Sequence, residues 1–565
     1  MKKFLVTLVL LILAAVVGYL AIGRELIDKY TYGKEYADLQ EYFGVSGEQA
    51  AILLQNDLLQ ERAILRDGRC YFPMSVVEEY LTDGFYYEEE VDSLLFTTAD
   101  TTYAVEIGSD QLRNTNGSEG LGYPASFREN NEIYLETDLL SRFARFSVSV
   151  YDYHVQLKTQ WGLADMRKIT DDTQVRVLGG IKSPILKDVA EGDSVELLEE
   201  METWSKVKTS DALIGYVENK KMRAASSLEE IPAQAPDLPE YTSVSLDGKA
   251  IVGFHAIYSE GGNDTLGEVF SEAPGMNVIA PTWYSIQNEA ADYRSYASAS
   301  YVEKAHEKGL QVWPVWDNFN YALENGTSID TVSLFSSMEM RDRLARAMVD
   351  ETIAIGADGI NLDMEGLPSE CGPHYVQFLK ELGILCRRQG LVFSIDNYVP
   401  FHFNNFYRLD VQGRVADYVI IMGYDEHTLG SSEQGSVASI DYVSNGLDRT
   451  LDQVPAGKVI NALPLYTILW SQTGSEPGSE YITLNNVDSF VERTGIEPEW
   501  NEETCQNYAE WTSGETTYRI WLEDEESILA KLNVMKAKEI GGAAAWRLGY
   551  GTPEVWQLIS GYAGD

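Results

Sequence analysis

Apolar and polar positions fall into successive textures along the chain, and each texture predicts a different kind of element. Residues 4–22, FLVTLVLLILAAVVGYLAI, carry no charge and are about as long as a helix needs to be to cross the hydrocarbon core of a bilayer. Residues 25–60 read as a polar helical stalk that gives way to strands near Arg66, Asp67 and Gly68. From 61 to 160, RCYFPMSVVEEYL leads into SLLFTTADTTYAVEIG, and NEIYLETDLLSRF leads into FSVSVYDYHVQL. Both halves predict an aromatic-rich strand, a short helix and then alternating strands, which makes an α+β module. Residues 170–223 predict five short strands separated by turn signals at Gly179-Gly180, Glu191-Gly192-Asp193 and Asp211, a small all-β unit. A stretch at 224–246 rich in Ala, Ser and Pro has the composition of a linker.

From 247 to 565 the pattern settles into strand, helix, strand. Apolar runs at 250–257, 276–286, 310–318, 358–365, 391–399, 417–426, 458–467 and 541–550 alternate with stretches of helical periodicity such as 336–355, 373–389 and 523–539. Eight such units predict a (β/α)8 TIM barrel, whose working residues gather at the carboxyl ends of its strands. The chain as a whole is therefore expected to be multidomain: an N-terminal transmembrane helix, a stalk, an α+β module, a small all-β barrel, a linker and a TIM barrel.

The fourth run, DGINLDMEG, sharpens the chemistry. With the strand period of two, Ile360, Leu362 and Met364 share one face, and Asn361, Asp363 and Glu365 share the other. Ionised carboxylates are costly to bury, so two of them on one face of a barrel strand indicate chemistry at a strand end. Their backbones sit about 6.6 Å apart, close enough for mutual repulsion to raise one pKa and keep that group protonated near neutral pH. The longer Glu365 is expected to be the acid and Asp363 its charged partner, with the Asn361 amide bridging at the third inward position. The other strand ends offer Trp283, Trp316 and Asp317, Met422, Tyr424 and Asp425, Tyr466 and Trp546. Trp283, Trp316 and Trp546 are candidates to stack on sugar rings, whereas Trp313 and Trp470 read as packing residues. His427, beside Asp425 and Glu426, reads as a loop hydrogen-bonding residue.

Charge narrows the partners. A formal net charge of −45 argues against nucleic acid and against polybasic attachment to anionic lipid. Four cysteines without a CxxC pair, and six scattered histidines, form neither a disulfide framework nor a metal site, and no cofactor is called for. Cys371 and Cys386 are the pair considered for a bridge. Lys2 and Lys3 before the apolar run weigh for an inside N-terminus, so the remainder is expected to be extracytoplasmic. The run's length favours an uncleaved anchor, with a secreted form after cleavage near Ala21-Ile22-Gly23 as the alternative. Nothing in the sequence calls for an oligomer, and a monomer is expected.

Three motifs together resemble glycoside hydrolase family 18. DGINLDME is similar to its D-G-x-D-x-D-x-E signature, YVIIMGYDE to the M-x-Y-D of its sixth strand, and GGAAAWRLGY to its closing strand. The resemblance implies substrate-assisted, retaining hydrolysis of a β-linked N-acetylhexosamine. It assigns proton donation to Glu365, holding of the acetamido group to Asp363 and Tyr424, and the floor of that sugar's subsite to Trp546. Asn361, Met422, Asp425, Trp283, Trp316 and Tyr466 complete the expected substrate contacts. One position departs from the signature, because its middle aspartate is Asn361 here, as in the spore-cortex and wall-lytic branch. Residues 170–223 resemble a bacterial SH3-type barrel, and 61–160 the domain named after the N-terminal region of copper amine oxidases. Combined with the anchor, these resemblances imply peptidoglycan as substrate. A chitinase, an endoglycosidase on other N-acetylglucosamine glycans, and a non-catalytic carbohydrate-binding protein remain the alternatives.

Overall fold

The structure is a computed structural model describing residues 2–564, and it divides into two compact units. The first covers residues up to Phe85 with Val105–Arg113 and Ser118–Leu238; the second covers Tyr86–Ala104, Asn114–Gly117 and the chain from Pro239 onward.

The first unit opens with a helix, Lys2–Tyr30, along which apolar side chains such as Phe4, Leu11, Val17 and Leu20 are exposed. Its Phe4–Tyr30 stretch is long and apolar enough to cross a membrane by length and composition. The helical stalk expected over 25–60 is not present. The helix stops at Tyr30, a five-residue turn of helix, Leu39–Phe43, is capped by Asp38, and Gln49–Leu54 and Asp57–Arg66 form an antiparallel hairpin. Short apolar runs such as AAILL carry no periodicity that separates strand from helix, and here the pairing partner decides. Gln49–Leu54 lies parallel to His154–Lys158, a partner about a hundred residues away in sequence. These strands join a seven-stranded sheet with Ser147–Val150, Arg69–Pro73, Glu132–Glu136 and Ser126–Glu129, so the α+β module begins before residue 61. Short helices follow the strands Arg69–Pro73 and Glu132–Glu136, as the repeated plan requires.

The small all-β unit is also present. The five strands expected from the sequence are Thr173–Arg176, Ile185–Val189, Ser194–Glu199, Trp204–Lys208 and Ile214–Glu218, extended by Met166–Ile169 and Met222–Ala224. All pair antiparallel around Val175, Val195, Val207 and Val217.

The second unit is a closed parallel barrel. Its strands are β1 Ala250–His255, β2 Val278–Pro281 resumed at Tyr284–Ile286, β3 Gln311–Val312 resumed at Val315–Asp317, β4 Gly359–Asp363, β5 Val392–Tyr398, β6 Tyr418–Met422, β7 Val459–Pro464 and β8 Gly542–Trp546. Each pairs with its successor, and β8 pairs with β1, Ala250 opposite Gly542. Closure depends on that glycine: a Cβ at Gly542 would lie 2.3 Å from the Ala250 carbonyl oxygen. The helices expected at 336–355, 373–389 and 523–539 appear as Met338–Ile355, Gly372–Gln389 and Glu525–Ala537.

Two features of this unit leave no local signal in the sequence. Between β7 and β8 the chain builds a five-stranded antiparallel sheet, with the helix Val487–Thr494 packed in its own small core around Leu469, Phe490 and Ile520. In addition, the excursion Tyr86–Ala104 belongs to the barrel unit, where Glu88 pairs with the fully buried Arg341, which also binds Glu381 at 3.0 Å.

The considered disulfide is absent. All four cysteines are free; Cys371 caps the helix Gly372–Gln389 and Cys386 lies in its last turns, about 22 Å away at 1.5 Å per residue, far beyond bridging distance.

Candidate active site

The register of three neighbouring strands builds the site. Asn361 of β4 lies opposite Ser394 of β5, so the inward ladder Asn361, Asp363, Glu365 runs beside a second ladder, Ser394, Asp396, Tyr398. On the other flank β3 sets Asp317 opposite Asp363. Asp317, Asp363 and Asp396 thus form one row across the barrel wall, with Glu365 a rung closer to the strands' carboxyl ends.

Glu365 is held through its backbone and its side chain. Its N–H donates to Asn318 Oδ1 at 2.9 Å, and its carbonyl accepts from Asn318 Nδ2 at 2.8 Å, so one amide beyond β3 clamps the backbone just past β4. Tyr398 Oη donates to Glu365 Oε2 at 2.7 Å and accepts the Gly366 N–H at 3.2 Å. Burial raises the pKa of Glu365; the Tyr398 hydrogen bond opposes this, and Asp425 and Asp317 add to it.

The row beneath is almost dry. Burial pushes Asp363 well above the usual carboxylate range, and repulsion from Glu365, Asp396 and Asp317 pushes it further. Its Oδ1 is buried and has no hydrogen-bond partner. Asp396 is pushed up to about 8 by burial, against one hydrogen bond from Asn361 and with added repulsion from Glu365. Asp317 is also raised by burial, but it accepts four hydrogen bonds that pull the other way: Ser285 Oγ (2.6 Å), Asn320 Nδ2 (2.7 Å) and the N–H groups of Phe319 (3.0 Å) and Asn320 (2.9 Å). Asp317 is the best stabilised anion of the row.

Above these acids lies a cleft that opens to solvent, with about 130 Å³ of room at its foot. Phe254, Tyr258, Met422, Tyr424 and Trp546 line it together with Asp363, Glu365, Asp396, Tyr398 and Asp425. Trp546 leans on Phe254 with ring centroids 5.7 Å apart. Asp425 sits in the left-handed region, at φ 61°, and accepts the Tyr466 hydroxyl; burial raises its pKa and that hydrogen bond opposes the shift.

The structure therefore brings Asp363, Glu365, Met422, Tyr424, Asp425 and Trp546 together as the sequence suggests. Tyr466, 5% exposed, reaches the cleft only through Asp425. Three expected contacts are corrected. Trp316 is fully buried and stacks on Tyr284 at 4.1 Å, because its neighbour Asp317 faces inward and alternation turns Trp316 outward. Trp283 is turned away for the same reason, since Thr282 lines the cleft; its Nε1 donates to Asn263 Oδ1. Asn361 lies below the cleft, fully buried, and touches Ser394 and Asp396 instead of solvent. Trp313 and Trp470 are core residues, and His427 Nδ1 shares a hydrogen bond with the Ser436 carbonyl, as the sequence implied. Sequence reasoning passed over Tyr398, Asp396 and Asn318. FSIDNY has the same polar alternation as INLDME, which was the available signal for the first two.

A closed barrel whose fourth strand ends in a buried acid pair under aromatic rings defines a glycosidase of the TIM-barrel class. The chain belongs to glycosyl hydrolases family 18, matched over residues 249–551. It is similar to the cortical fragment-lytic enzyme of Bacillus subtilis (strain 168), 24% identical over 314 residues that cover 51% of this chain and 72% of that protein. It is also similar to the uncharacterised glycosylase YvbX of the same organism, 22% identical over 298 residues, covering 50% of this chain and 84% of the relative. Among solved structures, a chitinase from Chromobacterium violaceum ATCC 12472 superposes with a TM-score of 0.50 at 19% identity, over 56% of this chain and 99% of that one, which supports the shared fold.

Proposed function

We propose that the protein is an extracytoplasmic endo-β-N-acetylglucosaminidase that cuts peptidoglycan on the reducing side of N-acetylglucosamine. The observation that carries this reading is Glu365, raised in pKa and pinned by Tyr398 and Asn318 above a buried, unpartnered Asp363 at the foot of an aromatic cleft. Glu365 donates its proton to the glycosidic oxygen as the C1–O bond breaks. The acetamido oxygen of the same sugar attacks C1 from the opposite face, while Asp363 accepts the acetamido N–H and the Tyr424 hydroxyl steadies the group. Glu365, now a carboxylate, takes a proton from the water that reopens the cyclic intermediate, and the configuration at C1 is retained. Trp546 floors the sugar and Asp425 hydrogen-bonds its hydroxyls.

The rest of the chain fits a wall enzyme. The helix Lys2–Tyr30 acts as the membrane anchor, the all-β unit as an SH3-like wall-binding or spacing module, and the module before it as a contact domain of the copper amine oxidase N-terminal type. The relatives named for cortical lysis favour peptidoglycan over chitin. The test uses the purified full chain on isolated peptidoglycan, with mass spectrometry of the released fragments. Wild type should release fragments with a new N-acetylglucosamine reducing end, and Glu365→Gln should release at least about 100-fold less. Equal release by the two ends the enzymatic reading. De-N-acetylated glycan should be cut far more slowly than the acetylated form, and equal rates rule out substrate assistance.

A further inference from the structure

Asp396 takes no part in the steps above, yet it lines the cleft at 4% exposure and sits in the row beside Asp363. Its surroundings are specific. Asn361 Nδ2 donates both to Ser394 Oγ at 3.1 Å and to Asp396 Oδ1 at 2.9 Å, so the amide is turned with its nitrogen toward the carboxyl, and its own Oδ1 is left without a donor. The groups that act electrostatically with Asp396 are Asp363 at the end of β4, Glu365 just past it, Tyr424 past β6 and Tyr375 on the helix Gly372–Gln389. None is a cation, and among the described residues neither Asp363 nor Asp396 forms an ion pair. Unlike Asp317 with its four donors, Asp363 and Asp396 adjoin with no cation and one donated hydrogen bond between them, so the pair holds one proton.

We propose that Asp396 is the carboxyl partner of Asp363, a positioning residue that reaches over from β5 and acts on the substrate's acetamido group through Asp363. This rests on the glycosidase mechanism proposed above. When Glu365 gives up its proton to the leaving oxygen, the pair still carries a single negative charge, placed on the oxygen that faces the acetamido N–H. The remaining proton stays on the other carboxyl, and the Asn361 amide fixes Asp396 in place. Both carboxyls are raised by burial, in keeping with one proton shared by the pair at neutral pH.

Two variants test this. Asp396→Asn keeps an acceptor for Asn361 and removes only the ionisable group. The swap N361D/D396N exchanges amide and carboxyl across the same 2.9 Å contact. On acetylated glycan, D396N should lower kcat about 10-fold or more with KM changed less than about two-fold, and the alkaline limb of its pH profile should move to lower pH, since Asp363 and Glu365 lose a repelling neighbour. The swap should recover most of both effects. Wild-type kcat and pH profile in D396N, or a swap no better than D396N, overturns the proposal. A second measurement does not depend on activity, so it decides the point even if wild type cuts no acetylated glycan and the enzymatic reading fails. A buried acid titrating near 8 in the folded chain and near 4 when unfolded stabilises the fold at low pH, and that contribution is lost as pH rises between these values. The Tm of D396N relative to wild type should therefore increase from about pH 5 to about pH 8, and a constant difference overturns the proposal.

Discussion

Tyr398 and Asp425 pull the pKa of Glu365 in opposite directions. The Tyr398 hydroxyl favours the ionised carboxyl by hydrogen bonding to it, whereas Asp425 disfavours it by repulsion. Tyr398→Phe should therefore keep Glu365 protonated to higher pH and move the alkaline limb of kcat/KM upward, with kcat itself lower because the carboxyl is less well held. Asp425→Asn should move that limb downward. Measured pH profiles of the two variants should diverge on either side of wild type; shifts in the same direction contradict this electrostatic account. Much at this scale was legible in the sequence. Alternation on one strand was enough to assign Asp363 and Glu365 inward, and the M-x-Y-D stretch to bring Tyr424 and Asp425. Asn318 was not legible, because an amide that binds backbone atoms leaves no pattern in the residues it holds.

Among elements, the correction at β3 shows the same period of two working against a reading by residue type. Trp316 and Asp317 are neighbours at one strand end, and only one of them can face the cleft. The burial of Trp316 against Tyr284 makes it a packing residue, so Trp316→Ala should cost about 3–5 kcal/mol in chemical denaturation with KM unchanged. A large rise in KM without loss of stability would return it to the substrate. The excursion Tyr86–Ala104 carries a second element-scale consequence. Arg341 is fully buried and satisfied by Glu88, Glu381 and the Phe335 carbonyl, so Arg341→Ala leaves buried carboxylates uncompensated and should destabilise the barrel unit by about 3–5 kcal/mol. A fragment beginning at residue 239, which lacks Glu88, should likewise unfold at lower denaturant than the full chain. Equal midpoints would show that the excursion is dispensable.

For the whole molecule, the proposed function makes net charge and the apolar N-terminal helix govern access to a wall substrate. A net charge of −45 repels an anionic wall polymer, and salt screens that repulsion over about 10 Å at 0.1 M. Activity on whole peptidoglycan should rise with ionic strength while activity on neutral oligosaccharides stays flat; parallel responses would remove the electrostatic explanation. Under the proposed anchoring, removal of residues 1–30 should abolish membrane association without changing kcat on soluble glycan, because the helix Lys2–Tyr30 contributes no residue to the cleft lining.

Local periodicity determined the eight barrel strands, the all-β unit and the inward face of β4, because side-chain direction follows from spacing along a single segment. Only the tertiary structure decided what depends on a partner distant in sequence. Gln49–Leu54 became a strand by pairing with His154–Lys158. The β3–β4–β5 register gathered Asp317, Asp363 and Asp396 into one row, and the Tyr86–Ala104 excursion joined the barrel unit through Arg341. Such contacts are chosen by register and burial between segments, and no single segment carries that information.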